Sequence, residues 1–138
     1  MEQEYIERVE KLREKGYNCA QSVACTFVDL LPIDEPTLFK ISEGFGGGMG
    51  GHDGICGALS GAVMVASLLS SSGSSDEITK EKTYQLSKQL YDSFVSIAGS
   101  PICTELKGES TGEPLFPCEM CIREAVRLTW SVIEPLVK

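Results

Sequence analysis

The feature that most constrains this chain is a concentration of glycine in one short stretch. Seven glycines lie between Gly44 and Gly54, and the fifteen residues that follow, 55–69, carry no charge. Glycine loses more backbone entropy on folding than any other residue, so this density indicates positive φ angles or backbone that passes close to another group. The uncharged run is too short to span a bilayer but long enough for a buried helix. The stretch therefore predicts a glycine loop that leads into a central helix over 55–69.

Small residues give this central helix one thin face, against which neighbouring helices can pack closely. The residues of that face are Gly57, Ala58, Gly61, Ala62 and Ala66. Asp53 is expected to be the N-cap, which would place Cys56 in the first turn. Free backbone N–H groups at that end of a helix favour a thiolate. The sequence thus predicts a reactive thiol at the start of the central helix.

Length and charge narrow the class of protein. At 138 residues the chain is expected to form one domain, residues 1–138. Its net charge of −8 argues against nucleic acid and anionic membrane surfaces as partners. The charged, helix-periodic N-terminus does not resemble a signal peptide, and no segment is expected to insert in a membrane. A cytoplasmic location is the resulting expectation, and there six cysteines indicate redox or metal chemistry before structural disulfides.

The rest of the chain also predicts helices, because apolar residues recur at helical spacing and no run alternates with the period of a strand. The expected helices cover 2–15, Cys19 to Pro32, a short segment that ends at Gly44, 77–98, a turn at Cys103 and a last helix from about Cys118. The predicted fold is all-α, a compact bundle of about five to six helices around the central helix.

Four cysteines share a position in this scheme, since each falls in the first turn of a different predicted helix. They are Cys19, Cys56, Cys103 and Cys118. If those helix ends converge, they form an electropositive pocket lined with sulfur. Four thiolates can hold an iron–sulfur cluster or a zinc ion, and two thiols can cycle with a disulfide. Because the spacings are long and irregular, inert burial of small apolar thiols is the alternative.

The remaining candidates are weaker. Cys121 forms a C-x-x-C pair with Cys118, which could cycle as a disulfide or supply a spare metal ligand, or Cys121 could simply pack in the core. Cys25 lies on another side of its helix and is expected in the core. His52 is a further possible base or metal ligand, with an exposed loop histidine as the alternative.

Three glycines are candidates for cofactor binding through their backbone, namely Gly47, Gly48 and Gly57. Their role would be to let amide groups approach the sulfur site, where N–H···S hydrogen bonds tune a redox potential. The spacing Gly46-x-Gly48-x-x-Gly51 formally matches a dinucleotide motif, but no predicted strand precedes it. No nucleotide cofactor is therefore expected.

These motifs resemble a known family over nearly the whole chain. The matching segments are GYNCAQSV around Cys19, GFGGGMG in the glycine loop, CGALSG at Cys56, GSPIC at Cys103, and a last cysteine before IREA. They are similar to the redox-active proteins named after the cysteine pattern C_GCAxxG_C_C. The position of the final motif places the family's last cysteine at Cys118, whereas Cys25 and Cys121 lie outside the pattern.

The resemblance implies an α-helical domain in which four cysteines have a redox or metal role. A similar domain occurs in split-Soret cytochromes, which favours an iron–sulfur site, and genes of the family often lie beside transporter genes. Two hypotheses follow. The first is a redox protein that uses Cys19, Cys56, Cys103 and Cys118 as cluster ligands or as a thiol/disulfide couple. The alternative is a non-catalytic module with structural zinc that binds a partner such as a transporter. The sequence leaves the redox partner, enzyme activity and homo-oligomer formation open.

Overall fold

Seven helices and the loops between them make up the computed structural model, which describes residues 1–138. They are α1 (Glu2–Glu14), α2 (Cys19–Thr26), α3 (Glu35–Glu43), α4 (Gly57–Ser70), α5 (Lys80–Ala98), α6 (Cys103–Lys107) and α7 (Cys118–Val137). One isolated antiparallel bridge joins Ile55 to Ile102, and there are no strands. The predicted all-α fold is confirmed. None of the helices combines the length and apolar character needed to cross a membrane.

Helix α4 is the centre of the bundle. It packs against α2, α5 and α7, while α1 covers α2 and α7 from outside. Its small residues are buried, as are Leu59 and Val65. A helix surrounded on several sides must be apolar around most of its circumference, which explains the absence of charge. The predicted central role of this segment is confirmed.

The contact between α2 and α4 is unusually close because Gly61 has no side chain. A Cβ atom added there would lie 2.7 Å from the carbonyl oxygen of Ala20 and 3.2 Å from the Cβ of Val23. The backbones of the two helices therefore touch at this point. Gly57, one turn earlier, contacts the first turn of α2 in the same way. This packing fixes the start of α2 beside the start of α4.

Helix α2 is shorter than predicted. It ends at Thr26, and Val28–Leu30 form a single 3₁₀ turn instead of continuing towards Pro32. The guanidinium of Arg8 donates a hydrogen bond of 2.9 Å to the carbonyl of Thr26, which would otherwise accept from Leu30. The amide of Leu30 donates instead to Phe27. A long-range contact from α1 thus ends the helix.

Helix α4 begins later than predicted, and Asp53 is not its cap. Cys56 is the N-cap residue, with an extended ψ of 128°, and the first helical residue is Gly57. The amide of Cys56 donates to the carbonyl of Pro101 at 2.7 Å, which keeps the preceding backbone extended. The next helix, α6, begins at Cys103 with Ile102 as its N-cap residue.

Candidate thiol site

The short antiparallel bridge places two of the candidate cysteines side by side. The amide of Cys56 donates to Pro101, and the amide of Cys103 donates to the carbonyl of Gly54 at 3.0 Å. These bonds tie the start of α4 to the start of α6, although the two cysteines are far apart in sequence. The first pair of the sulfur site is therefore positioned by backbone pairing, and not by a helix–helix interface.

The glycine loop allows close approach of the backbone to this pair. Gly47 and Gly48 have φ angles of +62° and +58°, the left-handed region that favours glycine. A Cβ atom on Gly48 would collide with the side chain of Cys103 and lie 3.0 Å from the carbonyl oxygen of Gly54. The loop can pack on α6 only because this position has no side chain.

Five of the six cysteines line one cavity of about 160 Å³, called the sulfur cavity below. They are Cys19, Cys56, Cys103, Cys118 and Cys121. Two cations, Arg13 and Lys107, also line it, and Gly47 and Gly57 contribute backbone. A larger apolar groove of about 760 Å³ lies between α3, α4 and α5 and contains no cysteine or histidine. Of these two cavities, only the smaller one can support reactions of cysteine thiols.

Cys56 is the acidic thiol of this cavity. The interaction with the neighbouring Cys121 thiol lowers the pKa of Cys56 to about 7, even though burial opposes ionisation. The amides of Ala58 and Leu59 and the charge of Lys107 lower this pKa further. At neutral pH a large fraction of Cys56 is therefore thiolate.

Cys121 is the partner of this thiolate. The interaction with Cys56, and then burial, raise the pKa of Cys121, so it stays protonated. Its thiol also lies 3.6 Å from the carbonyl oxygen of Phe116. In this structure the Cys121 thiol donates to Phe116, and its interaction with Cys56 shifts the pKa values of both cysteines in opposite directions. Cys56 and Cys121 thus form a thiolate–thiol pair.

The neighbouring thiols are not acidified. Burial raises the pKa of Cys118 to about 11, with the nearby Cys19 adding to the effect, and burial also raises the pKa of Cys103. Arg13 lies close to Cys118 and Cys19, held by hydrogen bonds to Glu119 at 2.8 Å and to the carbonyl of Tyr17 at 3.0 Å. The cavity therefore combines one ready nucleophile with several neutral thiols and two positive charges.

The structure brings together the four cysteines predicted at helix starts. Cys19, Cys103 and Cys118 are the first residues of their helices, and Cys56 is an N-cap. Whether they act as redox thiols or as metal ligands stays a prediction. His52 is not among the residues that line the cavity, because its Nδ1 atom pairs with Glu109 at 2.5 Å.

Cys25 also lies outside the cavity, as expected. It is 1% exposed in the core, and burial raises its pKa to about 12. Sequence reasoning did not identify Arg13 or Lys107. Lys107 follows Cys103 by four residues, a spacing that puts both on one helix face and was readable from the sequence. Arg13 belongs to a distant helix, and no local pattern marks it.

The donor set suits a soft metal or an iron–sulfur cluster, because thiolates are the preferred ligands of both. In this structure, however, no three Cys, His, Asp or Glu side chains are grouped so that they could hold one metal ion. Binding of zinc or of a cluster at Cys19, Cys56, Cys103 and Cys118 stays a prediction, as does the role of Gly47, Gly48 and Gly57 towards such a group.

The fold and the site place this protein in the class of all-α proteins in which thiols from several helix starts line one cavity. The chain belongs to the family described as "Putative redox-active protein (C_GCAxxG_C_C)", whose model matches residues 17–132. The resemblance seen in the motifs is thus confirmed, and with it a redox-active character. No significant match was found among curated proteins or among solved structures.

Gly57 connects the scaffold to the site, and its replacement gives a testable prediction. A Cβ atom at this position would collide with the sulfur of Cys19 and lie 3.0 Å from the carbonyl oxygen of Phe45. We expect Gly57→Ala to lower the free energy of unfolding by about 1–3 kcal/mol, since overpacking forces the backbone to shift. Chemical denaturation measures the effect. Gly51→Ala is the matched control, because no atom lies within 4 Å of the added methyl group; equal stability of the two variants would contradict the close contact.

Proposed function

We propose that this protein is a thiol–disulfide redox protein whose reacting pair is Cys56 and Cys121. The observation that carries the proposal is that Cys56 and Cys121 line one cavity, where the interaction of the two thiols lowers the pKa of Cys56 and raises that of Cys121. Reactive redox cysteines are typically acidic thiols next to a second cysteine. Cys121 makes the largest contribution to the acidity of Cys56, the amides at the start of α4 and the charge of Lys107 add to it, and the packing of α4 on α7 brings the two cysteines together.

The proposed reaction transfers two electrons to an oxidant, either a peroxide or a disulfide. The Cys56 thiolate attacks the oxidant and breaks its O–O or S–S bond, so that Cys56 carries a sulfenic acid or a mixed disulfide, and the other half of the oxidant takes up a proton and leaves as water, an alcohol or a thiol. The Cys121 thiol loses its proton and attacks the Cys56 sulfur. A Cys56–Cys121 disulfide forms, and water or the second thiol of the oxidant leaves. An external dithiol returns the pair to the reduced state.

Oxidation of the pair by a small reagent such as diamide tests the proposal. Diamide takes up two electrons and two protons from a dithiol. We expect mass spectrometry of the digested protein to find a disulfide between the peptides of Cys56 and Cys121, while Cys25 stays reduced. A disulfide that joins other cysteines, with Cys56 still free, would contradict this assignment.

A second candidate function is supported by a different observation. Four cysteine sulfurs come to one cavity from four separate helices, with Arg13 and Lys107 beside them to balance negative charge. In this candidate Cys19, Cys56, Cys103 and Cys118 would hold an iron–sulfur cluster. Such a group supplies one-electron transfer when bound, and nearby positive charges raise its potential.

Two serine variants separate the candidates, which gives a second prediction. If the dithiol function is correct, Cys121→Ser abolishes the diamide-induced disulfide and Cys19→Ser leaves it intact. If a cluster is bound, the effects reverse: anaerobically prepared Cys19→Ser loses absorption at about 400–450 nm, and Cys121→Ser keeps it. Serine is nearly isosteric with cysteine, so neither change creates a large cavity. Loss of the disulfide in Cys19→Ser alone would count against Cys56–Cys121 as the pair.

A further inference from the structure

The central helix α4 is open on one side. Helices α2, α5 and α7 pack against it, and α3 packs on α2, but α3 and α5 do not pack on each other. Between them lies the apolar groove of about 760 Å³. Its floor is the α4 segment from Leu59 to Leu68, about 14 Å long at 1.5 Å per residue. A helix that is apolar around its whole circumference is normally covered on every side, so this side of α4 is suited to contact another molecule.

The walls of the groove are apolar and partly exposed. Ile41 of α3, Phe45, Ile55 and Tyr91 of α5 line it, and they are four of the eleven large hydrophobic side chains that the chain exposes. Monomeric proteins rarely expose a large contiguous apolar patch, and aromatic residues are enriched in the cores of protein–protein interfaces. The composition of the groove is therefore typical of a protein-binding surface.

A matching ridge lies beside the groove, on α5. Leu90 and Phe94 of this helix are buried in the bundle, whereas Tyr84 and Tyr91 are 64% and 41% exposed. The two tyrosines are seven residues apart, so they lie on one side of α5 and about 10 Å from each other along its axis. This tyrosine stripe is short enough to lie along the floor of a second groove. A groove and a ridge side by side make a self-complementary surface, which a two-fold contact between identical chains requires.

The charges of α5 favour the same contact. Lys88 and Asp92 are the charged residues that line the groove, one turn apart and paired within the chain at 2.6 Å. In an antiparallel contact of two α5 helices about a two-fold axis near residue 90, Lys88 of each copy faces Asp92 of the other. Both contacts then join opposite charges, whereas a parallel contact would set like charges opposite each other.

We propose that a second copy of this chain occupies the groove and binds antiparallel through α5. Each copy places its tyrosine stripe in the groove of the other and covers the open side of α4. The fifteen residues that line the groove, together with the outer residues of α5, approach the about 20–30 residues a side that a standard interface uses. None of the six cysteines lines the groove, so the contact is independent of the thiol chemistry proposed above.

The molar mass of the full-length protein in solution tests the dimer. Analytical ultracentrifugation under reducing conditions excludes disulfide-linked species, and about 0.15 M salt screens the repulsion between two chains of net charge −8. We expect a species of twice the chain mass of 14.9 kDa. Tyr91→Arg should give the monomer, because it places a charge in an apolar contact. Ile97→Arg is the matched control and should stay dimeric, since Ile97 is 45% exposed on the same helix but does not line the groove.

Two charge variants test the antiparallel register. Lys88→Asp and Asp92→Lys each set like charges opposite each other at both contacts, so each should weaken self-association by about tenfold or more. An equimolar mixture restores two contacts of opposite charge and should form a heterodimer, which native mass spectrometry resolves by mass. Mixing cannot restore the pair within α5 that each variant has lost, so rescue reports a contact between chains. Circular dichroism checks that both variants fold.

Three results would overturn the proposal. The first is a monomer at every concentration, including a monomer that retains an apolar small molecule in native mass spectra. The second is a dimer that Tyr91→Arg leaves intact, which would place the interface elsewhere. The third is a pair of charge variants that associate no better when mixed than alone. None of these results bears on the Cys56–Cys121 pair, which diamide oxidation tests separately.

Discussion

Replacing Gly61 with leucine is expected to eliminate soluble, folded protein. The contact with α2 already leaves no room for a Cβ atom, which would lie 2.7 Å from the Ala20 carbonyl oxygen. A leucine must therefore push α2 and α4 apart along the centre of the bundle. The cost is about 3 kcal/mol or more, at the upper end of overpacking effects, and a large fraction of the stability of a domain this size. Soluble yield and thermal unfolding measure it.

Two controls separate this effect from the chemistry of the site. Gly44→Ala changes a glycine that has no atom within 4 Å of an added Cβ and an ordinary φ of −70°, so its melting temperature should stay close to that of the parent protein. Cys56→Ser should also fold under reducing, metal-free conditions, because the side chains are similar in size. If Gly61→Leu were tolerated while Cys56→Ser unfolded, the central helix would not be packed through its small residues.

The second large effect concerns thiol reactivity. Cys56 is expected to react with iodoacetamide at pH 7 far faster than Cys25, since their pKa values are about 7 and about 12. The fraction of thiolate is therefore far larger at Cys56, and the lower nucleophilicity of the more acidic thiol offsets only part of this, so we expect a difference in rate of at least about tenfold. Timed alkylation followed by peptide mass spectrometry gives both rates in one sample.

The pH dependence of this reaction has a definite sign. Because the pKa of Cys56 is depressed, its alkylation rate should rise with pH and level off above about pH 7, whereas that of Cys25 should still be rising. Cys121→Ala removes the largest contribution to the acidity of Cys56 and should move the midpoint to higher pH. Equal rates for Cys56 and Cys25 in the native protein would rule out an acidified thiol.

Much of the fold follows from local patterns. The glycine at position 99 ends α5 with a left-handed φ of +93°, as its place after an amphipathic run predicts. Asn18 and Gln21 form a capping box, so that α2 begins at Cys19 as expected. Each of these helix ends depends only on neighbours within a few residues, so a short segment of sequence is enough to predict it. Local patterns also place four cysteines at helix starts, whereas the meeting of those starts depends on how whole helices dock.

The sequence by itself determined that the chain is helical, which segment is central, and that its cysteines stand at helix starts. Only the tertiary structure decided which sulfurs meet. Cys121 becomes the partner of Cys56 because α7 packs on α4, and Arg13 joins the cavity because α1 packs on α7. Pairings of this kind join residues far apart in the chain and depend on how whole helices dock. The docking of helices is driven by burial of apolar surface, which is non-directional and depends on the whole fold. A local sequence pattern therefore does not show which helices will pack together.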